Sequence, residues 1–252
     1  MKAPEQIPSD MRDEYLMNGK VQYQEFYRND CSEEVQKMFN DHFTEKTFNE
    51  YRERIRARQV HYYGYTDTFL YRLLEEYPIK DKVVCIFGSA NPWYEAICVE
   101  YGAKKCIVVE YSDRESFHPL IEYKKPGDAI DDVIDVGLSI SSFEHDGLGR
   151  YGDPLNPTGD LETMQDIKKV IKKDGLLFFA VPTGIDTLVW NCHRIYGKHR
   201  LPLMIENWEM ISASGVDSLP PEFNGQGDWL MNSVNGTWGT PYQPVLLLKN
   251  ID

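Results

Sequence analysis

The sequence predicts an α/β fold, with a mostly parallel sheet covered by helices on both faces. Three observations carry that expectation. Apolar runs at 83–87, 106–109, 133–140 and 176–181 have the length of strands and the near-continuous hydrophobicity of strands buried on both faces. Segments with helical spacing separate them. Residues 82–111 read as apolar run, glycine turn, helix, apolar run, acid, the order of a βαβ unit that holds a nucleotide.

Residues 1–30 are polar, with no lasting period, and are expected to lie over the domain as an arm anchored by Tyr15, Tyr23, Phe26 and Tyr27. Ser32 is a candidate N-cap for a helix with Val35, Met38, Phe39, His42 and Phe43 on one stripe. A second helix carries Phe48, Tyr51 and Ile55. Its outer face holds Arg52, Arg54, Arg56 and Arg58, read as a solvated face or as a small basic patch for an anionic substrate. A third, near 66–77, carries Phe69, Leu70, Leu73 and Leu74 and stops at Pro78. Residues 1–60 are therefore expected to form an arm and helices packed on the core, and residues 61–252 the α/β domain.

In the central unit the first run stops at Gly88-Ser89, and a helix runs from Pro92 to about Tyr101. Pro92 suits the first helical position, where its missing N–H costs nothing. Gly102 breaks the helix, and the second run ends in Glu110. A short strand at 119–123, a turn at Pro126-Gly127-Asp128 and a strand at 133–140 follow. That strand leads into Ser141-Ser142-Phe143-Glu144-His145-Asp146 and a Gly- and Pro-rich loop at 147–160, of a length that is usually functional. Asp160 is the expected N-cap of a helix striped by Leu161, Met164, Ile167, Val170 and Ile171, closed by Gly175. A strand at 176–181 follows, then a helix carrying Asn191, His193 and Arg194. Strands at 208–212 and 244–249 flank an irregular excursion at 213–243.

Composition narrows the function. The chain has 252 residues and a formal net charge of −13, which disfavours broad nucleic-acid binding. No stretch approaches 18 consecutive apolar residues, so no membrane span is expected. The N-terminus lacks the apolar core of a signal peptide. As written the chain is expected to be soluble and cytoplasmic, or lumenal if an anchor precedes it. The five cysteines include no CxxC pair, so neither a disulfide framework nor a zinc site is expected.

In sheets of this kind ligands bind beyond the carboxyl ends of the strands. Residues 88–93, 110–113 and 139–153 should converge there. The turn at Gly88 would aim backbone N–H groups at a ligand. Glu110, about 20 residues on, could accept hydrogen bonds from ribose hydroxyls.

The segments GSANPWYEA, SISSFEHDGLGRYGDPLNPTGDLE and WNCHRIYG, in this order of elements, resemble class I S-adenosylmethionine-dependent methyltransferases, and more narrowly a branch of methyltransferase-like proteins of unknown substrate. The resemblance covers about residues 60–250. It implies a Rossmann-like, seven-stranded sheet whose last strand runs antiparallel, and S-adenosyl-L-methionine as cofactor. The cofactor would lie over Gly88, Ser89, Ala90, Pro92 and Trp93, with Glu110 on the ribose and Tyr111 beside it. Only Gly88 remains of the family's G-x-G-x-G turn. Asp128 would correspond to the acid near the adenine. Ser139 opens the loop that borders the methyl group.

Within that loop His145 is the candidate general base, because transfer to an oxygen profits from a group that takes the proton. Asp146 and Asp153 would orient a base, contact sugar hydroxyls or ligate a cation. No tight acidic constellation is visible, so no metal is expected. Arg150 and Tyr151 would meet the substrate or pin the loop. His193 and Arg194 would line the pocket or join a hydrogen-bond network. Trp93 would shelter the cofactor or fill the core. The expected activity is methyl transfer to an oxygen of a small molecule or glycan. A methyltransferase-like protein without catalysis, and an enzyme using a nucleotide sugar or NAD on the same architecture, remain alternatives.

Overall fold

The computed structural model describes residues 2–216 and 242–252. The chain begins with α1 (Arg12–Tyr15), β1 (Gln22–Glu25), α2 (Glu33–Asn40), α3 (Glu45–Arg56) and α4 (Tyr65–Glu76). The alternating part follows as β2 (Val83–Phe87), α5 (Trp93–Glu100), β3 (Lys105–Val109), β4 (Ile121–Lys124), β5 (Ile134–Ile140), α6 (Gly159–Asp166) and β6 (Ile171–Ala180). It ends with β7 (Thr187–Trp190), β8 (His193–Ile195), α7 (Leu201–Met204), β9 (Trp208–Ser214) and β10 (Val245–Asn250).

Seven strands form one mixed sheet in the order β4-β3-β2-β5-β6-β10-β9. β10 runs antiparallel to both of its neighbours, and the pairs among β2 to β6 are parallel. The order reverses between β2 and its neighbours β3 and β5, so the carboxyl ends of those three strands border one crevice.

The two-residue period of the strands divides the core. Val84, Ile86, Cys106, Val108, Val136 and Leu138 face α3, α4 and α5. Cys85, Phe87, Ile107, Ile134, Leu177 and Phe179 face α6 and α7. Each fully buried aromatic or aliphatic side chain contributes about 1.5–3 kcal/mol. Both faces are thus committed to packing, and only the strand ends are left for chemistry.

Several local expectations change. Pro92 is the N-cap of α5 and Trp93 its first helical residue, with the Trp93 N–H donated to Asn91. Asp160 lies inside α6 behind an N-cap at Thr158, because its carboxylate is claimed by arginines rather than by the helix end. The stripe at 161–171 is not one helix. α6 stops at Asp166, a 3-10 turn covers Ile167–Lys169, and Ile171 already pairs with Ile134 at the start of β6. Gly175 therefore sits in a strand, where Ile171, Lys172 and Asp135 leave no room for a side chain.

The segment with Asn191, His193 and Arg194 is the hairpin β7–β8, not a helix. Its reason lies in the arm. β1 adds to β7 in parallel and builds a separate three-stranded sheet. Tyr15, Ile7, Val21, Leu148, Leu188 and Trp190 fill the core beneath it. Ser32 does cap α2. Arg56 and, just past the end of α3, Arg58 are exposed as a solvated face requires, yet neither is unpaired. Arg52 and Arg56 converge on Glu100 of α5, at 2.5 and 2.7 Å, and Arg58 reaches Glu75. Of the expected excursion at 213–243, residues 217–241 lie outside the described residues.

Asn191 fastens the arm through two backbone bonds, accepting from Arg28 N at 2.8 Å and donating to Arg28 O at 2.9 Å. Replacing it by alanine strands both groups, at about 1–3 kcal/mol. Trypsin should then cut after Arg28 faster in Asn191→Ala than in the wild type. Equal rates would show that the arm is held elsewhere.

Candidate functional site at the carboxyl edge of the sheet

The first wall is the β2–α5 turn. Gly88 has φ +79°, and a Cβ there would collide with Ser142 of the loop after β5. Glycine is required twice, for the left-handed backbone and for the close approach. The Ser89 N–H points across to β3 and donates to Glu110 Oε2 at 2.8 Å. Ser112 N–H donates to Glu110 Oε1 at 3.2 Å. Beneath the turn lies Glu95, 0 % exposed, whose Oε1 accepts from Ser89 Oγ at 2.6 Å. Among the described residues Glu95 Oε2 has no hydrogen-bond partner. Burial pushes the Glu95 carboxyl up to about 7.

The second wall is the loop after β5. Ser141, at φ +55°, turns the chain into a 3-10 turn, Phe143–His145. Ser141 Oγ donates to Glu144 Oε1 and accepts from Gln243 Nε2 at 3.3 Å. Glu144 is 0 % exposed, and burial pushes its carboxyl up to about 8. His145 Nδ1 faces Cys192 O at 2.7 Å. A carbonyl only accepts, so Nδ1 carries the proton and Nε2 keeps its lone pair. Nε2 lies 3.6 Å from Glu144 Oε1. Burial, then the charge of Arg150, holds the ring's pKa well below its ordinary value. The imidazole is therefore neutral near pH 7.

The two walls face each other. Burial, with Asp146, Asp153 and Glu110 nearby, raises the Tyr111 phenol to about 12. Tyr151 stacks edge-on against His145 at 5.4 Å and lies in the field of Tyr63 and Glu110. Gly88, Ser89, Glu110, Tyr111, His145, Asp146 and Tyr151 thus lie near one another beyond the carboxyl ends of β2, β3 and β5. His193 joins them, its ring 6.4 Å from that of His145 and its pKa held down to about 4 by burial and then by Arg150. Asp146 is also raised by burial, to about 7. Ser139 is fully buried at the base of the loop, and among the described residues its Oγ has no partner.

Other predicted residues are placed differently. Trp93 is 1 % exposed and packs on His61, Tyr51 and Arg54, away from the turn's open side. Ala90 is exposed and Pro92 buried. Asp128 is exposed and accepts from Lys125 N in its own turn. It lines a surface hollow of about 350 Å³ with Asp132, Lys169 and Lys172, apart from Glu110. Asp153 spends its carboxylate on the Gly149 and Tyr151 N–H groups. Arg194 donates to the backbone carbonyls of Asp146 and Pro157 and so clamps the loop. Arg150 bonds Asp30 of the arm at 2.7 Å and Cys192 O at 3.0 Å.

Residue-by-residue reading did not single out Glu95, Glu144, Asp30, Tyr63 or Gln243. Only the SSFEH segment held a local signal, an acid next to the candidate base. The others are joined to the site by contacts far apart in sequence.

The sequence of residues 81–227 matches a family profile described as "Caenorhabditis protein of unknown function, DUF268". The chain belongs to this family. No curated protein matches the sequence significantly. Among solved structures, this DUF268 chain is similar to the N-methyltransferase NodS from Bradyrhizobium japonicum with S-adenosyl-L-homocysteine, at 10% identity and TM-score 0.48, covering 73% of this chain and 86% of that one. It is similar to an S-adenosylmethionine-dependent methyltransferase from Clostridium acetobutylicum, at 10% identity and TM-score 0.48, covering 81% and 98%. It is also similar to the 1,6-didemethyltoxoflavin-N1-methyltransferase of Burkholderia thailandensis, at 11% identity and TM-score 0.47, covering 72% and 76%. Likenesses this distant carry no inference about the site.

The loop's rigidity rests on Asp160, fully buried and held by Arg200 at 2.5 and 2.8 Å, by Tyr196 at 2.8 Å and by Arg194 at 3.7 Å. Burial pushes its carboxyl up, but Arg194 and Arg200 outweigh burial and hold it below its ordinary value. A carboxyl depressed on folding stabilises above its unfolded pKa, about 4, and loses that contribution as pH falls through the folded value. Asp160→Asn should therefore cost about 3–5 kcal/mol near neutrality, because the arginines lose their counter-charge. Urea titrations should show the deficit shrinking below about pH 4. A deficit that does not change with pH would mean the ionic form is unimportant.

Proposed function

We propose that this DUF268 chain is an S-adenosyl-L-methionine-dependent methyltransferase acting on an oxygen of a small molecule or glycan. One observation supports this above the others: the Ser89 N–H is donated to Glu110. In a dinucleotide or nucleotide-sugar site, that N–H would be free for a phosphate oxygen. Here the turn is bound instead to two carboxyl groups, Glu110 above and Glu95 below. Such a turn repels a diphosphate and suits a ligand with ribose hydroxyls and a positive centre.

The residues fit that cofactor. Gly88 leaves the turn open to close approach. Glu110, at the end of β3, has lone pairs left on both oxygens for ribose hydroxyls. The cofactor would supply an electrophilic methyl on sulfonium. The protein's task is then alignment of the acceptor and removal of its proton. Neutral His145, with its lone pair on Nε2, suits proton removal from a hydroxyl. Cys192 O, which also accepts from Arg150, fixes its ring. Tyr62 and Tyr65 are 81% and 78% exposed near Tyr63, and offer flat faces with polar tips to a ring-bearing acceptor such as a sugar. The acidic surface supports a small acceptor over nucleic acid.

S-adenosyl-L-homocysteine should raise the melting temperature of the full chain. Glu110→Ala should weaken that ligand about ten- to a hundredfold, the worth of hydrogen bonds to a charged group. NAD and a uridine diphosphate sugar should leave the melting temperature unchanged. A shift with either of these, and none with S-adenosyl-L-homocysteine, would refute the proposal.

A further inference from the structure

Glu144 has no place in the scheme above, yet it is built into the loop that carries the base. We propose that the acceptor's proton, taken at His145 Nε2, passes on to Glu144, so that the two side chains act as a pair sharing one proton. This rests on the methyltransferase reading for its substrate, and on geometry for the pair itself.

Glu144 Oε1 lies 3.6 Å from His145 Nε2 and is fixed by the Ser141 hydroxyl. His145 cannot turn Nε2 elsewhere without giving up Cys192 O. Among the described residues Glu144 Oε2, fully buried, has no hydrogen-bond partner, and Gln243 Oε1 and His193 Nε2 share that condition. Three unpartnered polar atoms beside the base are costly unless a ligand or water meets them.

In the transfer, the acceptor's O–H bond breaks and the oxygen's electron pair forms a C–O bond to the methyl carbon. The C–S bond breaks with its electrons left on sulfur. The proton reaches Nε2 and then Oε1. The reactive state has Glu144 ionised and His145 neutral, and the resting state after transfer has Glu144 protonated. The charges around Glu144 come from each side: Arg150 and Asp146 of its own loop, and Arg194 at the hairpin, whose Nη1 lies 3.5 Å from Glu144 O. Tyr63, Cys192 and Tyr196 also lie within its field. Burial outweighs the arginines and sets the titration at about 8.

Infrared difference spectra of the full chain, wild type minus Glu144→Gln, should isolate one protonated-carboxyl band. It should vanish with a midpoint near pH 8. In His145→Gln the midpoint should fall, because the shared proton has lost its second site. No such band at pH 6, or a midpoint unmoved in His145→Gln, would overturn the pair. S-adenosyl-L-homocysteine titrated calorimetrically into Glu144→Gln separates the two claims. The pair predicts wild-type heat there. A correct carboxyl titration with no heat in any form of the protein would remove the methyltransferase reading and leave the proton pair standing.

Discussion

The bond from Ser89 N–H to the Glu110 carboxylate is the contact on which the arrangement of this edge of the sheet depends. It joins the end of β3 to the turn after β2, at the place where the strand order reverses. It also uses the donor that a phosphate would need. Gly88 completes the constraint, since its missing side chain lets the loop after β5 come against the same turn. Three strand ends are thereby drawn together, with acids on one side and the His145 imidazole on the other.

The second wall is held from outside the main sheet. The arm's β1 pairs with β7, Asn191 fastens Arg28, and Asp30 holds Arg150 against Cys192. Tyr15 donates to Gly147 O at 2.5 Å. The loop at 141–153 is therefore clamped between the arm, the hairpin and the Asp160–Arg200 pair. An isolated loop of this composition would be mobile, and a side chain placed on it would lack a fixed direction. The clamps give His145 one orientation and one tautomer. Burial then holds the His145 ring's pKa down and pushes the Glu144 carboxyl's up.

Much of this was legible in the sequence, where the physics is local. The apolar runs of β2, β3 and β5, the turn at Gly88 and the acid at Glu110 are read from neighbours in the chain. The antiparallel last strand agreed with the family resemblance. What was illegible depends on distant partners. Asp160 reads as a helix cap until Arg200, 40 residues on, claims its carboxylate. The segment with Asn191, His193 and Arg194 reads as a helix until β1 supplies a strand for β7 to pair with. Asp30 looks like any loop acid, though it meets Arg150 across 120 residues. Glu144 is invisible because burial, the cause of its chemistry, is a property of the fold.

The most direct test of the account is a crystal structure of the chain grown with S-adenosyl-L-homocysteine. The account predicts the ligand over the β2–α5 turn, its ribose hydroxyls on Glu110 and its sulfur facing the loop that carries His145. Ligand density elsewhere, or a ribose held by other side chains while Glu110 keeps only Ser89 and Ser112, would contradict it.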